Sequence, residues 1–67
     1  MDISKKFGLK TKTIRIDKHL SQGGLAKKLG VDPSYISQIE RGISNMSLKK
    51  IELLSKALGV PIEDLIK

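Results

Sequence analysis

An all-α fold, a compact cluster of five short helices, is what this sequence predicts, and three observations predict it. Apolar residues recur at three- and four-residue steps in five separate pieces, the spacing that lines one face of a helix. Sustained apolar–polar alternation is missing, as are the Asn-Gly and Asp-Gly pairs of tight hairpins. The pieces are separated by only about 2–5 residues, so successive helices must pack on one another. With 67 residues, 39% of them hydrophobic, the chain is expected to form one domain, residues 1–67, with little stability to spare.

The first piece sets Phe7 and Ile14 seven residues apart with Thr11 between them on one face, and ends near Lys18-His19. His19 stands where a helix-ending left-handed residue is expected. Leu9 and Ile16, also seven apart, fall on the opposite face and are expected in solvent, as isolated apolar residues or as a further protein contact. The second helix takes Ser21 as N-cap, turns Leu25, Ala26 and Leu29 inward, and stops at Gly30. In "DPSYISQIERG", Asp32 caps, Pro33 suits the first helical position, Ile36 and Ile39 turn inward, and Gly42 closes the piece. After the loop "ISNM", Ser47 caps a fourth helix with Leu48, Ile51, Leu54 and Leu58 inward and Gly59 at its end. Pro61 opens a last short turn containing Ile62, Leu65 and Ile66.

Thirteen Lys or Arg against seven Asp or Glu give a net charge of +6, and eight of the basic residues lie in the first 28 positions. Such a balance suits a polyanion, or serves solubility alone. Cysteine is absent and His19 is the only histidine, which excludes disulfide frameworks, thiol nucleophiles and the usual zinc spacings. Glu40, Glu52, Glu63 and Asp64 read as helix-surface charges, so no nucleophile–base pair can be assembled. No enzyme, cofactor, metal site or small-molecule ligand is expected. No apolar run approaches the roughly 18 residues of a membrane span, and "MDISKKFGLK" lacks the apolar core of a signal peptide, so a cytoplasmic location is expected.

Two helices joined by so short a turn cross steeply, at roughly 90–120°. A small residue is then needed where they approach, a residue tolerant of positive φ at the turn, and branched apolar residues on the inner side of the second helix. Ala26, Gly30, Ile36 and Ile39 meet those needs within residues 21–41. This spacing resembles the helix-turn-helix of the phage Cro and repressor family, the xenobiotic-response-element type of regulator with the lambda-repressor-like fold. The stretches "SQ..LAKKLGVDPSYISQIERG", "SNMSLKKIELLSKALGV" and "PIEDLI" extend the resemblance along nearly the whole chain.

The resemblance implies a homodimeric transcription regulator that binds a palindromic operator in double-stranded DNA, its third helix lying in the major groove. Carried over, the base-reading positions are Pro33, Ser34, Tyr35, Ser37 and Gln38, the residues left once Ile36 and Ile39 have turned inward. Gln38 can pair bidentately with adenine, Ser34 and Ser37 can donate or accept, and Pro33 or the Tyr35 ring can touch a thymine methyl. Alternatively, Tyr35 stacks on a neighbouring side chain at the surface. Arginine is missing from these positions, so contacted A·T pairs and DNA deformation are expected to carry specificity.

Phosphate contacts fall to Gln22, which matches the family's phosphate-contacting glutamine, to the backbone N–H groups of Asn45, Met46 and Ser47, and to Lys27, Arg41 and Lys49. Met46 departs from the proline common in this loop, and "SNMS" is similar to the form found in restriction–modification controller proteins. Val60, Ile62, Leu65 and Ile66 are the candidate dimer contact, or else they close the monomer core. The competing class is a protein-interaction module that keeps the helix-turn-helix. Gly23 and Gly24 occupy positions where relatives carry acidic or polar residues. They either leave a bare, less negative edge for DNA at some cost in helix stability, or are a variation that packing tolerates.

Overall fold

Helix boundaries follow the capping chemistry. The computed structural model describes residues 3–43 and 46–66. Among these there is no strand, and five helices follow one another: α1 (Ile3–Asp17), α2 (Gln22–Leu29), α3 (Pro33–Glu40), α4 (Leu48–Leu58) and α5 (Glu63–Ile66). Ser21, Asp32 and Ser47 are the N-caps. Each side chain accepts a first-turn backbone N–H, from Gly24 (2.9 Å), Ser34 (2.9 Å) and Lys50 (3.3 Å) respectively.

One device ends α1 to α4. His19, Gly30, Gly42 and Gly59 take φ of 59°, 72°, 75° and 72°. The N–H of the apolar residue that follows, Leu20, Val31, Ile43 or Val60, then folds back to a carbonyl five positions earlier at 3.0–3.1 Å. This Schellman geometry satisfies carbonyls that a helix end would otherwise leave open.

The core is Leu25, Ala26, Ile36, Ile39, Leu54, Leu58 and Leu65, with Phe7, Ile14, Leu20, Leu29 and Val31 packed around it. α1 packs on α3 and α5, and α2 on α3 and α4. Thr11 is fully buried, and its Oγ1 donates to the Phe7 carbonyl at 3.0 Å, so the polar residue on the inward stripe of α1 is satisfied within its own helix. Leu9 and Ile16 lie in solvent, as their spacing predicts.

Two expectations are corrected. Leu48 is 79% exposed. It shares a helix face with the buried Ser55, but it occupies the first turn of α4, where no element covers it. Glu40 is 7% exposed, not a surface charge, because it sits four residues after Ile36 on the inward stripe of α3 and meets a buried cation. Leu65 is 1% exposed, so its side chain closes the monomer core, the alternative left open for this segment, rather than offering a contact surface.

Gly8 sets how closely α1 approaches α3. A Cβ built there would meet the Ile39 carbonyl oxygen and stand 2.7 Å from that of Glu40, so only a bare Cα lets the α1 backbone lie against the last turn of α3.

Candidate nucleic-acid interface

Two charges far apart in the chain tie α1 to the end of α3. Arg15 of α1 donates from Nε to Glu40 Oε2 at 2.6 Å and from Nη2 to Oε1 at 3.2 Å, while its Nη1 donates to the Leu20 carbonyl at 2.7 Å. Both side chains are at least nine-tenths buried. Gln22, in the first turn of α2, donates from Nε2 to Glu40 Oε1 at 3.1 Å. The carboxylate therefore joins α1 and the first turn of α2 to the end of α3. A primary amide carries two N–H donors. Glu40 occupies one of them on Gln22.

With about 3.6 residues per turn, burying Ile36, Ile39 and Glu40 places Ser34, Gln38 and Arg41 on the opposite side of α3. All three are exposed, as is Pro33. Tyr35 and Ser37 are half-buried on the two flanks of this ridge. The structure thus brings the five candidate base-reading residues onto one short helix, with Ser34 and Gln38 at its crest. Asp32 is the one carboxylate at the start of this helix. Its pKa is lowered from 3.8, first by the hydrogen bond from the Ser34 backbone and then by that from the Ser34 side chain.

Of the candidate phosphate contacts, Lys27, Arg41, Ser47 and Lys49 are exposed, and Gln22 is half-buried at the α2 terminus. Met46 packs its side chain against the core. Asn45 lies outside the described residues. Gly23 and Gly24 are both helical, and a Cβ at Gly23 would meet nothing closer than Ser21 Oγ at 3.9 Å, so packing does not require glycine there.

A family model described as helix-turn-helix matches residues 12–65. The chain belongs to that family. Control protein C.BamHI of Bacillus amyloliquefaciens is 49% identical over 61 residues, covering 90% of this chain and 75% of the relative. Among solved structures, the restriction-modification controller protein C.AhdI of Aeromonas hydrophila superposes with a TM-score of 0.86 at 41% identity, covering 91% of this chain and 92% of that one. The restriction-modification controller protein C.Esp1396I, solved as a tetramer in complex with its natural 35 base-pair operator, superposes with a TM-score of 0.83 at 33% identity, covering 100% and 99%.

Of three further contributors in this domain, Arg15 and Lys50 are not singled out from the sequence, and Glu40 is read there as a surface charge. Arg15 and Glu40 are one pair; a charged residue four positions after Thr11, and another four after Ile36, stand on inward stripes, and that placement was the available signal. Lys50 is the third: its ammonium lies over the Tyr35 ring, 5.1 Å from the centroid. Nothing in the spacing of Lys49 and Lys50 distinguishes which of them turns toward α3. Among the described residues, no helix is long and apolar enough to cross a membrane.

Proposed function

We propose that this protein is a sequence-specific regulator of transcription of the controller type, which binds a palindromic operator in double-stranded DNA as a homodimer and acts by occupying that operator, without catalysis, in the cytoplasm. The observation that carries this reading is the exposed Ser34–Gln38–Arg41 ridge of α3, free of carboxylates and held from behind by Ile36, Ile39 and the Arg15–Glu40 pair. Its likeness to an operator-bound controller protein along the whole chain supports it. Ser34 and Gln38, with Pro33, Tyr35 and Ser37 beside them, read base edges. Gln22, Lys27, Arg41, Lys49 and the backbone before α4 hold phosphates. The dimer contact falls to Ile66, 59% exposed, together with the half-buried Val60 and Ile62.

Footprinting on the DNA upstream of its own gene is the test. The expected result is a protected palindrome with half-site centres roughly 34 Å apart, and affinity that falls with salt at a log–log slope of about −0.9 per phosphate neutralised. No protection, with affinity for any duplex too weak to measure at low salt, overturns the reading in favour of a protein-interaction module.

The paired glycines give a second prediction. Gly23→Ala is expected to raise stability by about 0.5–1 kcal/mol and leave operator affinity unchanged, whereas Gly23→Glu should also stabilise the helix but weaken binding, because a carboxylate then faces phosphate. Thermal melts and operator titrations of the two variants decide it. Equal affinities would mean that the bare edge has no electrostatic role.

A further inference from the structure

Tyr35 stands on one flank of α3, half-buried and packed against the core. One face of its ring is covered by the Lys50 ammonium, 5.1 Å from the centroid. Lys50 is exposed, its backbone N–H caps onto Ser47 Oγ at 3.3 Å in the first turn of α4, and among the described residues no carboxylate pairs with its ammonium. Lys49, its neighbour, is exposed and has no such ring contact among the described residues.

We propose that Lys50 is a positioning residue for DNA specificity. Its ammonium holds the Tyr35 ring against the flank of α3, and so fixes where the aromatic edge meets the wall of the major groove. The inference rests on the DNA-binding reading and deepens it. The core covers Tyr35 only in part, so core packing alone does not enclose the ring. A cation over an aromatic face is attracted to the ring quadrupole and is little hydrated on that side. The same charge stands at the start of α4, beside the backbone proposed to hold phosphate, so one ammonium can orient the ring and face the DNA backbone together. A plain phosphate-binding lysine would strengthen binding to every duplex alike. A lysine acting through Tyr35 changes the ratio between operator and unrelated DNA.

The test is a double-mutant cycle on the full chain, with the footprinted operator and a scrambled duplex of equal length as probes. Lys50→Met keeps the apolar stem and removes the charge, Lys50→Arg restores a stacking cation, and Tyr35→Leu removes the ring. Lys49→Met is the matched loss of one charge. Lys50→Met should lower the operator-to-scrambled affinity ratio about two- to fivefold, the range expected of an exposed cation–π contact. Lys50→Arg should restore the ratio, and in the Tyr35→Leu background Lys50→Met should leave it unchanged. Lys49→Met should lower both affinities equally.

Equal loss on both probes for Lys50→Met, or the same ratio change with and without the ring, overturns the proposal and leaves Lys50 a phosphate contact only. In the free protein, the Lys50 ε-methylene protons should be shifted upfield by the ring current and lose that shift in Tyr35→Leu; an unshifted resonance in the parent protein overturns it as well. Failure of the parent protein to bind any duplex is a different result, and it removes the DNA-binding reading itself.

Discussion

Arg15→Met is expected to leave the protein largely unfolded at room temperature. The substitution keeps most of the apolar stem but removes the donors to both Glu40 oxygens and to the Leu20 carbonyl. Glu40 would remain in a site where its side chain is 3% exposed, with the Gln22 amide as its only neighbour of those given by α1 and α2. Leaving one member of a buried ion pair alone costs about 3–5 kcal/mol. A chain of this length has roughly 3–10 kcal/mol in total, so the loss is comparable to the whole. The pair itself need not be a net source of stability, because desolvating both charges offsets much of their attraction. Hence Arg15→Met combined with Glu40→Leu should recover a large part of the stability lost in the single variant. The recovered fold should still bind operator more weakly, since Gln22 then has no carboxylate to hold it at the α2 terminus. Urea unfolding followed by circular dichroism measures the first effect and operator titration the second. A cost below about 1 kcal/mol for Arg15→Met, the range of a solvent-exposed pair, would show that water reaches Glu40.

Most of the helix ends were legible because each rests on a local device. Ser21, Asp32 and Ser47 act through side-chain oxygens, and Gly30, Gly59 and even His19 through their backbone, on residues close by in the chain, so their positions in it are enough to place them. The crest of α3 was legible for a related reason. Once Ile36 and Ile39 are assigned inward, helical geometry leaves Ser34 and Gln38 no other side. What could not be read depends on partners distant in the chain. The spacing of Glu40 after Ile36 points it inward, but its partner, Arg15, lies 25 positions earlier and no local pattern names it. Leu48 has a buried residue's spacing, yet whether anything covers the first turn of α4 is a matter of tertiary placement. Lys49 and Lys50 are equivalent in pattern, and only the place of Lys50 beside the Tyr35 ring separates them.

Gly8→Ala should destabilise the protein by about 2 kcal/mol or more, opposite in sign to the same change at Gly23. By intrinsic preference alanine is better than glycine in a helix interior by about 1 kcal/mol, and both positions are helical. At Gly23 the new methyl finds only ordinary contact with Ser21 Oγ. At Gly8 it meets backbone: the Ile39 carbonyl oxygen, the Glu40 carbonyl oxygen at 2.7 Å and the Glu40 carbonyl carbon at 2.9 Å. A flexible side chain could turn aside, but a backbone carbonyl moves only if the last turn of α3 unwinds or α1 lifts away. Overpacking of this kind costs typically about 1–3 kcal/mol, occasionally more, and here it falls on the residue that carries the Arg15 partner. Lifting α1 lengthens the bonds between Arg15 and Glu40, so part of the ion-pair penalty is added to the steric one. The two alanine variants form their own control, because a shared helix-propensity effect would move both melting temperatures upward. With roughly 4–8 °C per kcal/mol for a domain of this size, the two melts should separate by more than 10 °C. Equal upward shifts would mean that α1 is free to slide on α3, and the rigid seating of the recognition helix would have to be sought elsewhere.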